Sequence, residues 1–139
     1  MSIRSAMTSL ALTLLRIGTG IIMATHGWLK LQNFSQTVEN FAGMGIPKIG
    51  VYLAIAGELG GGLGLIFGLL TPLAAFGILC VMVTAIYNVH LSNGLLAKDG
   101  GFEYPMTLGL VALFFIFRGA GPISVDALFC RKKRDVVSS

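Results

Sequence analysis

The sequence predicts an all-α integral membrane protein: an antiparallel bundle of four transmembrane helices, forming a single domain over residues 1–139. Three observations predict it. Apolar residues make up 55% of the chain and charged residues 12%, about half the charged share of a globular domain. The apolar residues gather into four runs, each near the ~20 residues that cross a hydrocarbon core of about 30 Å. Away from the ends of those runs, the only charges within them are Arg16 and Glu58; Arg118 lies near the end of the fourth. A soluble domain of this size could not cover its surface with so few polar groups.

The first span is expected at about residues 8–29. Its early charge, Arg4, and the apolar run that follows suggest a secretory signal. Arg16 inside the run and the lack of a clear A-x-A site argue for a retained span instead. The next stretch, "KLQNFSQTVENFAGMGIPK", carries Phe34, Val38 and Phe41 at helical spacing with polar residues between. It predicts a short amphipathic helix at the membrane surface. The second and third spans, about residues 50–70 and 72–91, are separated only by Thr71 and Pro72. Proline suits the first turn of a helix, where its missing N–H costs nothing, so these spans should form a tight hairpin. "SNGLLAKDGGFEYP" leads to a fourth span at about residues 104–121, which Gly119, Gly121 and Pro122 stop. Ser124 can cap one or two further turns.

The tail, residues 122–139, is basic through Arg131, Lys132, Lys133 and Arg134. Such a cluster beside a span sets orientation or touches anionic lipid, so membrane lipids are expected partners. Nucleic acid is not, because no basic face accompanies the tail. Arg4 and the tail supply five positive charges against Lys30, Lys48 and Lys98 on the other side. That balance places both termini in the cytoplasm. Cys80 and Cys130 form no CxxC and read as small hydrophobes.

Arg16 lies in "LTLLRIGTGIIMATHGWLKL". Exposed to lipid it would cost about 3 kcal/mol or more, so it needs a partner. Glu58 is the expected one, since both residues fall near the midplane when counted from the expected span ends. The pair would be a buried ion pair, or a ligand or proton-transfer site. Glu58 also opens "GELGGGLGLIFG", where GxxxG spacings overlap at 57/61, 60/64 and 64/68. Gly57, Gly61, Gly64 and Gly68 should admit a close neighbour, within the bundle or from a second copy of the chain.

A second polar group is expected at the outer ends. His26, His90 and Glu103 share a depth on three helices and predict the mouth of a pocket, with Tyr87, Thr107 and Arg118 as secondary members. The plainer reading is an interfacial belt, to which Trp28 belongs. Two histidines at one depth can ligate a b-type haem, but that is the minority reading. No metal is expected, because the set has no diagnostic ligand spacing.

"LLRIGTGIIMATHGWLKL", "AGELGGGLGLIFGLLTP", "NVH", the Glu103 start of the fourth span and the closing "GAGPISVDAL" together resemble the DoxX-like small membrane proteins over nearly the whole chain. The resemblance implies a four-helix protein of the bacterial inner membrane with cytoplasmic termini. It also implies a redox setting, because relatives are linked to thiosulfate:quinone oxidoreduction, to quinone or catechol stress and to oxidant-defence complexes. Two classes of function follow. One is a redox accessory that binds a quinone-like lipophilic ligand or docks a partner oxidoreductase. The other is a membrane scaffold or a proton-coupled carrier of a small solute. The chain carries no self-sufficient catalytic motif.

Overall fold

The computed structural model describes residues 2–137, with side chains up to Lys133. Residues 138–139 and the side chain of Arg134, both part of the expected basic tail, lie outside the described residues. The described chain is helical and has no strand. Six helices follow in order: α1 (Ile3–Gln32), α2 (Phe34–Gly43), α3 (Lys48–Phe67), α4 (Thr71–Asn93), α5 (Glu103–Arg118) and α6 (Val125–Val137). Three of them, α1, α3 and α4, are long and apolar enough to cross a membrane. α5 has 16 residues, a length of about 24 Å.

Each helix begins and ends for a local reason. Ser2 accepts the Ser5 N–H at the start of α1. α2 is the expected amphipathic helix. It buries Thr37, and its Phe34 ring packs on Tyr52 of α3 at 5.3 Å between centroids. Pro47 precedes α3, and Pro72 sits in the first turn of α4. The turn between α3 and α4 needs left-handed backbone at Gly68 (φ 64°) and at Leu70 (φ 47°). Ser124 accepts the Ala127 N–H and starts α6, which runs well past the one or two turns expected.

Glycine sets the spacing of the helices. A Cβ on Gly20 would lie 2.7 Å from Gly62 O, and one on Gly27 would lie 2.8 Å from Leu59 Cα. α1 and α3 therefore run antiparallel, backbone against backbone. The other side of α3 meets α4 in the same way. A Cβ on Gly61 would come 2.8 Å from Ala74 O, and one on Gly57 would come 3.0 Å from Gly77 O. Gly64 faces Ala74, and Gly68 faces Arg16. The glycine surface that could have served a second copy is thus filled by the chain itself, at all four expected positions.

The core lies among α1, α3, α4 and α5 and contains Met23, Leu65, Ile78, Met82, Leu108 and Phe115. Leu14, Leu73, Phe76, Val83 and Leu110 point outward. A helical protein with its large apolar side chains on both the inside and the outside is built for lipid rather than water.

Candidate functional site

Buried charge appears at two levels. At the end carrying the α3–α4 hairpin, Arg16 is 2% exposed. Its Nη1 donates to Ala120 O and its Nη2 to Ile123 O, both at 2.8 Å. Asp126 sits close by. Its carboxylate accepts the Leu70 N–H at 2.7 Å and the Thr71 N–H at 3.0 Å, capping α4, while its own N–H donates to Gly68 O. The segments "LLRIG", "GLLTP" and "GAGPISVDAL" therefore meet in one clasp. Gly68 is required there twice, by its positive φ and by the guanidinium packed against its Cα.

At the opposite end, near the loop from Gly94 to Phe102, the charged pair is Lys30 and Glu58. Lys30 Nζ donates to both carboxylate oxygens, at 2.9 and 2.7 Å. Glu58 does not pair with Arg16. The α1–α3 register sets Gly27 beside Leu59, so Glu58 lies about 18 Å along the bundle from Arg16. The expectation failed because apolar run lengths do not fix register. α1 extends to Gln32, and Lys30, which reads as a loop residue, lies within the helix.

Glu58 stands in a π-helical turn, Ala56–Gly60, and His90 ends another, Ile86–His90. Such turns insert one residue into the ladder and re-aim side chains, often at functional sites. Periodicity in the sequence gave no sign of them. Both turns border a cavity of 690 Å³ between α1, α3, α4 and α5, closed at one edge by α2. Its walls are mostly apolar, including Met23, Phe41, Leu53, Val81 and Leu108. Lys30, Glu58, His26, His90, Asn88 and Tyr104 supply the polar part. The volume suits a small organic ligand.

His90 Nδ1 lies 2.7 Å from Gly100 O. A carbonyl only accepts, so Nδ1 carries the hydrogen, and Nε2 of a neutral ring is an acceptor. Glu103 departs from the expected group. Its Oε1 accepts the Ala97 N–H at 2.6 Å, and it braces the loop instead of lining the cavity. Of the expected pocket mouth, His26 and His90 therefore line the cavity and Glu103 does not. Thr107 bonds Glu103 O on its own helix, Tyr87 is exposed, and Arg118 lies at the far end of α5. None of these three lines the cavity. Sequence reading counted Lys30 among the charges that set orientation but did not place it in the site. The one available signal was its position four residues after His26, on the same helix face.

This fold and cavity define a small helical membrane protein with a ligand-sized pocket near one end of its spans. The chain belongs to the DoxX family, whose model matches residues 11–91. That stretch includes Arg16, Lys30, Glu58 and both histidines, but not the clasp residues after α5. The chain is 30% identical over 88% of its length to Putative oxidoreductase CatD of Bacillus subtilis, covering 89% of that protein. It is 30% identical over 84% of its length to Inner membrane protein YqjF of Escherichia coli, covering 90% of that protein. A protein of Haemophilus influenzae is 34% identical over 87% of this chain and 92% of its own length. No solved structure matches the chain.

Proposed function

We propose that this DoxX protein is a four-span protein of the bacterial inner membrane that binds a small lipophilic ligand in the cavity beside Lys30 and Glu58. α5 is the fourth span, both termini are cytoplasmic, and the pocket opens toward the outer side. The observation that carries the reading is a cavity of 690 Å³ with apolar walls and one charged, hydrogen-bonding corner. Such a site fits a ring or chain with a polar head, such as a quinone. Lys30 would donate to a carbonyl of the ligand, and His90 Nε2 would accept from a hydroxyl. The name of the Bacillus subtilis relative, an oxidoreductase, favours a redox accessory, binding such a ligand or presenting it to a partner oxidoreductase. The second reading is a proton-coupled carrier, favoured by a carboxylate that is 5% exposed and bonded to a single lysine.

The test is mass spectrometry of lipid-soluble molecules that co-purify with the protein. A quinone-class molecule should be retained at near-stoichiometric level by the unaltered chain. It should be lost from Ala85→Phe, which fills the cavity from α4. Equal retention by both proteins, or retention of bulk phospholipid only, refutes the pocket. Labelling from outside the cell should modify Lys98→Cys and spare Cys130. The reverse pattern refutes the orientation.

A further inference from the structure

The charge of the chain is divided unevenly between its two ends. Seven of the ten Lys and Arg residues lie at the hairpin end: Arg4, Arg16, Arg118 and the four of the tail. Only two of the six acidic residues, Asp126 and Asp135, accompany them. Lys30, Lys48 and Lys98 at the opposite end face four carboxylates. The hairpin end therefore carries a net charge of +5 and the opposite end −1, which sum to the +4 of the chain.

α6 carries four of those seven basic residues, and its starting point is fixed. Asp126 in its first turn is bonded to Leu70 and Thr71, and Ile123 just before it is bonded to Arg16. The helix thus leaves the bundle at the level where α3 ends and α4 begins. Beyond that turn none of the described residues covers positions 128–133. Leu128 and Phe129 are each 63% exposed, and Arg131, Lys132 and Lys133 are exposed beside them. Lys132 follows Phe129 by three residues and Leu128 by four, so it shares their face. A lysine there can lay its stem along an apolar layer and keep its ammonium at the surface. Large apolar side chains interleaved with basic ones, on a helix pinned at the edge of the spans, match an anionic lipid surface in both apolarity and charge. A soluble polyanion would leave Leu128 and Phe129 in water.

We propose that α6 is a docking helix for anionic lipid. Leu128 and Phe129 dip to the acyl boundary, and Arg131, Lys132 and Lys133 hold phosphate headgroups of the leaflet at the hairpin end. This does not depend on the pocket or its ligand.

The test uses the full chain with Cys80→Ser, carrying an environment-sensitive fluorophore on Cys130. It is placed in nanodiscs of phosphatidylcholine alone or with about one-third phosphatidylglycerol. Anionic discs should give a blue-shifted emission and about tenfold less quenching by aqueous iodide. About 1 M KCl, which screens charges beyond ~3 Å, should return both readings to those of neutral discs. The variant R131Q/K132Q/K133Q should lose the shift while retaining the thermal stability of the parent. Identical emission in both kinds of disc overturns the proposal, as does a full shift in the triple variant. Duplex DNA added to neutral discs and producing the same shift overturns it as well, by assigning the helix to a soluble polyanion.

Discussion

Lys30 and Glu58 are expected to be energetically coupled, and Arg16 and Glu58 are not. The perturbations are Lys30→Met, Glu58→Gln and Arg16→Met, alone and in pairs. Lys30→Met leaves a carboxylate that is 5% exposed without its cation. Removing one partner of a buried pair costs about 3–5 kcal/mol. The Lys30 side chain is 25% exposed, so the lower end, about 3 kcal/mol, applies here. Replacing both residues removes the orphaned charge, so the coupling should be about 1.5–2.5 kcal/mol. Arg16→Met deletes two charge-assisted bonds to Ala120 O and Ile123 O, each worth about 1.5–3 kcal/mol. Arg16 Nε is buried with no hydrogen-bond partner among the described residues, which offsets part of that. The net loss should be about 3 kcal/mol. Combined with Glu58→Gln, about 18 Å away along the bundle, it should add to within about 0.5 kcal/mol. The assay is SDS-titrated unfolding in detergent micelles, followed by the fluorescence of Trp28, the one tryptophan of the chain. Coupling above about 1 kcal/mol between Arg16 and Glu58, or strict additivity between Lys30 and Glu58, would refute the register on which the site rests.

Gly68→Ala should lose about 2 kcal/mol or more in the same assay, from left-handed backbone and from overlap with the Arg16 guanidinium. Unchanged stability would mean that Arg16 lies elsewhere. Gly61→Leu should destabilise the monomer, because its Cβ meets Ala74 O and Ile78 on α4. Gly60→Ala, with nothing within 4 Å of its Cβ, should be neutral within about 0.5 kcal/mol. Equal effects at both positions would remove the distinction between the packed and open faces of α3. Asp126→Asn should weaken the cap on α4 by about 1 kcal/mol and raise tryptic cleavage at Arg131 and Lys132. Unchanged protease resistance would show that α6 is held by something else.

Helix existence and order were legible in the sequence because they rest on local quantities. Run length gave α1, α3 and α4. Thr71 and Pro72 marked the hairpin, and the spacing of Phe34, Val38 and Phe41 gave α2. The face of α1 was legible in part. Arg16, Thr19, Met23 and His26 recur at helical spacing, and the first three are buried while His26 is exposed. Register was not legible, because one apolar run slides past another with little change in composition. Only the fit of Gly20 and Gly27 against α3 selects the alignment, and that fit is a property of two surfaces. It moved Glu58 from Arg16 to Lys30. The carbonyls of Ala120 and Ile123 were invisible as partners of Arg16, since every residue has a carbonyl and the loop conformation alone aims these two. The same holds for the π-helical turns that put Glu58 and His90 at one cavity, and for Glu103, whose carboxylate the fold directs to Ala97. The composition of this chain determined that it would be a bundle of apolar helices. Which of its few charges meet was decided by backbone packing, because a buried charge takes whatever partner the register brings within reach.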